Sequence, residues 1–257
     1  MQISVVNQEN QVLATSRPCG YGVALEYTQA YQAGDTVVLS VEKAGLFELQ
    51  IDECLGKSVV YLEEEARFQI PTEASKRTCY PKLAFTGDCH LMTLTPFSTE
   101  MRRNLALNAY DHHQTKGIHP HASANVETRG EMVFAARNAI DGVFANHSHG
   151  DYPYASWGIN RNPKAEMRID FGRSVIVDEI RLTLRADWPH DSWWTEAVVT
   201  DSNQVRYVLP LAKSPLPQCF SIAPTSMTSL TLGELKKADD QSPFPALTQI
   251  EVWGTEA

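Results

Sequence analysis

Apolar and polar side chains alternate with a period of two along most of the chain, which is the pattern of half-buried β-strands. In the segment TVVLSVE, Val37, Leu39 and Val41 share one face, and in FELQID Phe47 and Leu49 do the same. The connection KAG between these segments is short enough for a hairpin. Further short strands are predicted in VVYLEEEARFQIP and CHLMTL.

The second half of the chain repeats this pattern more clearly. In AEMRIDFG and DEIRLTLRAD, one face of each predicted strand is wholly apolar, and we expect these residues to point inward: Met167, Ile169, Phe171, Ile180, Leu182 and Leu184. The segment AVVTDSNQVRYVLPL predicts a hairpin around residues 201–204. A single helix is predicted in EMVFAARNAIDG, ending at Gly142, since glycine is the usual residue after a helix C-terminus.

Many short strands with one helix predict an all-β fold of antiparallel sandwiches. The pattern is interrupted by TPFSTEMRR at residues 95–103, where a proline, small polar residues and charges occur together. We therefore expect a small β-domain of unknown role over residues 1–98 and a second β-sandwich over residues 103–257.

Composition and charge exclude several classes of partner. The net charge of −9 and the lack of a basic run disfavour nucleic acid, and no apolar stretch is long enough to span a membrane. The start MQISVVNQEN lacks the pattern of a secretory signal, so a cytoplasmic protein is expected. Five cysteines without a C-x-x-C pair indicate reduced thiols. Oligomerisation is left open.

From residue 103, four motifs follow one another: NLALN, ARNAIDG, MRIDFGRSVIVDEIRL and QIEVWG. In this order they resemble the discoidin, or coagulation-factor type C, group of galactose-binding-like domains, which includes many carbohydrate-binding modules. The resemblance implies a jelly-roll β-sandwich that holds ligands with loops at one rim, and it places Trp157 in the core. Residues 1–98 resemble no family.

The resemblance also implies a structural calcium beside the AIDG turn, with Asp141 as a carboxylate ligand. This chain departs from the family there, because Val143 follows the glycine and Gln249 stands in place of a glutamate. Fewer carboxylates would weaken a calcium site. The alternative is that Asp141 holds the turn by accepting backbone N–H groups.

Seven of the eight histidines lie between residues 112 and 190, and two pairs have H-x-H spacing. Side chains at this spacing share one side of an extended chain, so His119 and His121 are candidate ligands of a transition metal. A metal-dependent, sugar-active enzyme of the β-sandwich type is the corresponding alternative function.

The segment RADWPHDSWW, residues 185–194, combines aromatic faces with side chains that can bond sugar hydroxyls. Arg185, His190 and Asp191 are expected to bond hydroxyls, and Trp188 or Trp194 to stack on the ring. Only one of Trp193 and Trp194 can point outward if they begin a strand. The predicted ligand site comprises Arg185, Asp187, Trp188, His190, Asp191, Trp194, His149 and Tyr152.

These observations predict a non-catalytic protein that binds a saccharide or polyol at rim loops of the second sandwich. A glycosidase would use Asp187 and Asp191 as acid and base, although nucleophile-elbow, zincin and P-loop motifs are all absent. Discoidin-like domains also bind proteins, so a protein-interaction module is a further alternative. In that case a broad exposed apolar patch is expected.

Overall fold

The computed structural model describes residues 1–187 and 192–257, and its strands form two antiparallel sheets that contain about half of these residues. The elements of the first part are β1 (Gln2–Val6), β2 (Val12–Thr15), β3 (Arg17–Cys19), β4 (Gly22–Tyr27), β5 (Thr36–Ser40), β6 (Gly45–Gln50), β7 (Ser58–Gln69), α1 (Ala74–Arg77) and β8 (His90–Pro96). The second part contains β9 (Arg103–Asn104), β10 (Lys116–His119), β11 (His121–Ala124), β12 (Trp157–Gly158), β13 (Met167–Leu184), β14 (Trp194–Asp201), β15 (Arg206–Pro210), β16 (Gln218–Lys237) and β17 (Ala246–Glu256). The all-β class expected from the alternating pattern is confirmed.

The first sheet runs β2-β1-β5-β7-β6-β8-β4-β3, and it curls so that β1 lies close to β4 and β8. The strand β7 is long enough to pair β6 along residues 58–62 and β5 along residues 65–69. Strands β5 and β6 therefore lie end to end along β7, and the hairpin suggested by the KAG connection does not form. Because β5 and β6 both pair with β7, the apolar side chains of both strands lie in the same hydrophobic core.

The strand β10 lies in the second part of the sequence but adds to the first sheet. It pairs β7, with Ile118 opposite Leu62 and His119 opposite Tyr61. Tyr110 also enters the first core, where it is fully buried and donates its hydroxyl hydrogen to the Asp52 carbonyl oxygen. We call residues 1–98 together with residues 108–119 the N-terminal unit, and the rest of the described chain the C-terminal unit. The domain boundary placed between residues 98 and 103 stays a prediction.

The C-terminal unit is a sandwich whose longest strands are β13, with 18 residues, and β16, with 20. The sheet order is β12-β17-β13-β16-β14-β15, with β11 on β13 and β9 on β17. The apolar face predicted for β13 is confirmed, since all of its members are at most 1% exposed: Met167, Ile169, Phe171, Ile180, Leu182 and Leu184. Trp157 is fully buried in the same core, as the resemblance implied.

The hairpin predicted around residues 201–204 is confirmed as the β14–β15 turn. Asp201 holds it, because one carboxylate oxygen accepts the N–H groups of Asn203 and Val205 at 2.8 and 2.9 Å. The described residues include no helix that is both long and apolar enough to span a membrane.

The prediction of a helix over EMVFAARNAIDG is wrong. Residues 128–139 form three short 3₁₀ turns, and Ala135 between two of them is extended. The apolar residues here are buried all round and form no single stripe, so nothing selects the 3.6-residue period. Side chains form hydrogen bonds with the backbone groups that a helix would have paired. Glu127 accepts the Ala136 N–H at 2.8 Å, and Asn138 donates to the Met132 carbonyl oxygen at 2.8 Å.

Candidate functional site

The end of β13 places a buried ionic group at one rim of the C-terminal sandwich. The strand ends at Leu184, after which the Arg185 N–H donates to the Ala246 carbonyl oxygen at 3.1 Å. The Ala186 N–H donates to the Asn146 carbonyl oxygen at 3.0 Å, and the Asn146 side chain donates to Leu184 at 3.0 Å. Residues 185–187 are therefore fixed to the loop that carries His149.

Asp187 lies at the centre of this group, with its side chain only 1% exposed. One carboxylate oxygen contacts Nε of Arg185 and the other contacts Nδ1 of His149. Arg185 also donates to the Phe244 carbonyl oxygen at 3.1 Å. Burial lowers the pKa of Arg185, and Asp187 opposes that change by stabilising the charged guanidinium. The Asp187 carboxylate thus orients two side chains, and this use leaves it poorly placed for acid–base catalysis.

A cleft of about 170 Å³ opens beside Arg185 and His149. Its lining includes the exposed Phe244 side chain, and the guanidinium carbon of Arg161 lies 4.3 Å from the centre of that ring. Arg129 and Phe134 also line the cleft, with the Arg129 guanidinium carbon 5.4 Å from the centre of the Phe134 ring. The lining residues are Thr128, Arg129, Phe134, His149, Gly158, Ile159, Asn160, Arg161, Arg185, Phe244, Pro245 and Ala246.

The floor of the cleft depends on close backbone packing at Gly158. A Cβ there would lie 2.7 Å from the Thr128 hydroxyl oxygen and 3.1 Å from a Phe134 ring carbon. The same hydroxyl oxygen accepts the Asn160 N–H at 2.9 Å. Asn160 and Arg161 both have positive φ, at 48° and 60°, so a tight turn presents these two polar side chains at the opening.

The structure brings together three of the predicted ligand residues, Arg185, Asp187 and His149. Trp194 is not available for stacking, because it is 1% exposed in the core, while Trp193 is partly buried against that core. Tyr152 is 37% exposed but lines a separate cavity of about 80 Å³ beside Asp141. Trp188, His190 and Asp191 lie outside the described residues.

Sequence reasoning missed Phe244, Asn160 and Arg161. The sequence could have indicated Asn160 and Arg161, since they lie in the segment NRNP after Trp157, which is rich in residues typical of turns. Phe244 precedes a proline just before the last strand, where its exposure depends on how the chain enters β17.

No protein-family profile and no curated protein matches this chain. Among solved structures, it is similar to the family 32 carbohydrate-binding module of NanJ from C. perfringens, solved with galactose, at 18% identity and a TM-score of 0.40 over 51% of this chain and 91% of that one. It is also similar to chitosan-binding module 1 of a chitosanase/glucanase from Paenibacillus sp. IK-5, at 15% identity and a TM-score of 0.43 over 59% and 99%.

A fucose-binding module from Streptococcus pneumoniae is similar at 10% identity and a TM-score of 0.43, covering 62% of this chain and 99% of that one. Because these TM-scores are below 0.5, the sandwich assignment rests on the strand pairing described above, and the likeness supplies no ligand.

The surroundings of Asp141 do not fit the calcium site that the resemblance implied. Arg137 donates to one Asp141 oxygen at 3.2 Å, while the Val143 N–H and the Gln249 amide each donate to the other at 2.9 Å. The Gln249 amide nitrogen also lies 2.6 Å from the Asn138 carbonyl oxygen and 2.7 Å from that of Thr248. N–H donors therefore occupy the oxygen atoms that a cation would need. Burial raises the pKa of Asp141, and these donors oppose the change.

Replacing Gln249 by glutamate is expected to destabilise the protein and to make its stability depend on calcium. Gln249 is 1% exposed, and a carboxylate there would face three oxygen atoms with no proton to share. A buried unpaired charge costs about 3 kcal/mol or more. Thermal unfolding with calcium and with a chelator measures both effects. Calcium should recover part of the loss in Gln249→Glu and leave the native protein unchanged; a saturable rise in the native melting temperature would contradict this account.

His119 and His121 do not form a shared metal site. They lie on β10 and β11, which belong to different sheets and are separated by Pro120. His119 contacts Glu63 at 3.2 Å, whereas His121 contacts the buried Asp111 at 2.6 Å. No cluster of three or more His, Cys, Asp or Glu side chains suited to a metal ion occurs in residues 1–187 and 192–257. The transition-metal hypothesis therefore has no donor set in the described part of the chain.

Proposed function

We propose that this protein binds a saccharide in the cleft beside Arg185 and His149, with one sugar ring inside it. The observation that carries the proposal is that an exposed Phe244 ring lines the same cleft as polar side chains held by a buried carboxylate. A sugar ring has an apolar C–H face that packs on an aromatic ring and hydroxyls that need hydrogen-bond partners. The lining of the cleft offers both.

The size of the cleft favours a single ring. Its volume is about 170 Å³. Ligand pockets that enclose drug-sized molecules span about 300–1,000 Å³, so this cleft suits the end of a glycan and not an enclosed oligosaccharide.

The charges favour a neutral or acidic sugar. Arg185 is paired with Asp187, and Arg129 is paired with Glu131 through two contacts of 2.6 and 2.7 Å. Arg161 contributes a further positive charge at the opening. Asp187 fixes the His149 ring in one orientation, as carboxylates commonly do for imidazoles that bind ligands. His149, Asn160 and Arg161 are the proposed hydroxyl-binding side chains, and Phe244 provides the stacking face.

Replacing Phe244 by alanine is expected to weaken saccharide binding roughly tenfold. Loss of an aromatic contact of this kind corresponds to about 1–1.5 kcal/mol, and 1.4 kcal/mol is a factor of ten in affinity. Titration calorimetry against a panel of neutral and acidic sugars measures the change. Arg161→Ala should also weaken binding. Arg185 is unsuitable for this test, because removing it would take the guanidinium partner from the buried Asp187 carboxylate.

Two matched controls separate a local effect from a general one. Tyr21→Ala removes an aromatic ring that is 95% exposed on the N-terminal unit, and Arg168→Ala removes an exposed arginine on β13. Neither change should alter binding. The proposal fails if no saccharide binds, or if binding is unaffected by both Phe244→Ala and Arg161→Ala.

A further inference from the structure

A larger cavity, of about 580 Å³, lies between the two units and away from the proposed saccharide cleft. The N-terminal unit contributes the chain from the end of β7 at Gln69 through the segment that carries α1 to Tyr80, together with residues 112–114. The C-terminal unit contributes residues 130–133 and Asp151. This volume falls within the range of about 300–1,000 Å³ that is usual for small-molecule sites, which the cleft does not reach.

The walls of this cavity are held in place by contacts that do not require a ligand. The Tyr152 N–H donates to the Thr78 carbonyl oxygen at 2.8 Å, directly linking the two walls. Arg137 is buried behind them and donates to the Ala109 and Asp111 carbonyl oxygens at 3.0 and 2.9 Å. The cavity is therefore preformed, so a ligand would not have to order its walls on binding.

The cavity surface combines an apolar side with hydrogen-bonding groups. Ile70, Met132 and Val133 supply the apolar contacts. Hydroxyl groups come from three residues of the segment that follows β7: Thr72, Ser75 and Thr78. His113 is held by Glu127 at 2.7 Å, and Glu127 is itself fixed by the Ala136 N–H. Such a surface complements a ligand with C–H faces and several hydroxyls.

The charges at the cavity favour a cation. Glu73 is paired with Lys76 at 3.0 Å, and Glu131 is paired with Arg129. The third carboxylate, Asp151, is exposed at the cavity and takes part in no salt bridge within residues 1–187 and 192–257. An unpaired carboxylate attracts ammonium groups and repels phosphate, sulfate and acidic sugars.

We propose that this cavity is a second binding site, which takes a short oligosaccharide bearing a protonated amino group that pairs with Asp151. The volume is more than three times that of the cleft, 580 against 170 Å³, so it can hold two or more linked rings. Because both units line the cavity, the bound ligand also holds them together and raises the temperature at which the full chain unfolds.

The full chain titrated with a glucosamine trimer tests this proposal by calorimetry. Binding is expected, and Asp151→Asn should weaken it roughly tenfold or more, as expected for loss of a charge-assisted hydrogen bond. Asp151→Lys should abolish it. Glu42→Gln, which removes an exposed carboxylate from the N-terminal unit, and Phe244→Ala, which alters the cleft, should leave the affinity unchanged.

Two further ligands test the proposed chemistry. The N-acetylated trimer has the same rings without the positive charge, and spermidine has ammonium groups without rings. In the Phe244→Ala variant, in which the cleft is altered, both should bind at least tenfold more weakly than the glucosamine trimer. The proposal is overturned if the trimer does not bind, if either comparison ligand binds as well, or if Phe244→Ala and not Asp151→Asn removes binding. The last outcome would place the trimer in the cleft and leave the proposed saccharide function intact.

Discussion

Replacing Arg137 by methionine is expected to lower the free energy of unfolding by about 3–5 kcal/mol, which is typical of breaking a buried ion pair. Arg137 is 2% exposed and donates to the carboxylate of Asp141, whose side chain is 6% exposed. Its guanidinium also lies 4.7 Å from the centre of the Tyr80 ring and donates to the carbonyl oxygens of Asp111 and Ala109. Methionine fills much of the volume but leaves Asp141 charged and several carbonyl oxygens without a donor.

A double-mutant cycle separates the ion pair from the rest of this network. Urea unfolding of Arg137→Met, Asp141→Asn and the combined variant gives the interaction free energy of the two side chains. The combined variant should be more stable than the sum of the single losses predicts. Arg137→Lys should recover little, because an ammonium cannot reproduce the planar set of donors. Strict additivity of the two losses would show that Arg137 acts through its carbonyl contacts alone.

Acidification is expected to destabilise the protein through His112. Burial, reinforced by the nearby positive charge of Arg137, lowers the pKa of His112 to about 3. The folded state therefore keeps this imidazole neutral, while the unfolded chain binds a proton below its ordinary pKa of 6.5. Stability from His112 is present above pH 6.5 and is lost as the pH falls toward 3. At about 1.4 kcal/mol for each pH unit, roughly 2 kcal/mol is lost by pH 5.

His113 and His121 act in the opposite direction and in a different pH range. Hydrogen bonds to Glu127 and to Asp111, respectively, raise the pKa of each imidazole above its ordinary value. Their contribution is complete below the unfolded pKa and is lost as the pH rises through the folded value. Stability should therefore increase slightly as the pH falls toward 6.5 and then decrease as His112 becomes dominant.

Unfolding midpoints measured from pH 8 to pH 5 test this profile, with His112→Asn as the matched variant. Asparagine retains an acceptor for the Gln114 N–H, which His112 accepts through Nδ1 at 3.0 Å, but it has no group that titrates in this range. The variant loses the edge-on contact of His112 with Phe68 and should be less stable at pH 7. Its stability should nevertheless fall less steeply between pH 6.5 and 5. An unchanged slope would exclude His112 as the cause.

The strands of this protein could be predicted because burial on one face leaves a visible period of two. The inward face of β13 and the turn at Asp201 are examples in which the local pattern determines the structure. Strand pairing could not be predicted in the same way. The connection KAG has the length of a hairpin, but β5 and β6 instead share β7, and that choice depends on the length of a strand further along the chain.

In the candidate site, too, contacts between residues close in sequence could be predicted, whereas most contacts between distant residues could not. Arg185 and Asp187 are close in sequence, and their proximity to His149 followed from the expected rim of the sandwich. The burial of Trp194 could not be read from the pair of tryptophans, because either register was consistent with the pattern. Phe244 and Arg161 are far apart in sequence, and only the folded chain brings them to one cleft.

The pairing of β10 with β7 limits how this sequence can be divided. A fragment that begins at residue 103 would carry away the edge strand and the buried Tyr110 of the unit it leaves behind. The fragment itself would display that strand without its partner, and unpaired strands readily join neighbouring molecules. The sandwich is therefore not a module that can be excised by cutting the chain between residues 98 and 103. Residues 103–257 and the first 98 residues have to be kept together in one chain.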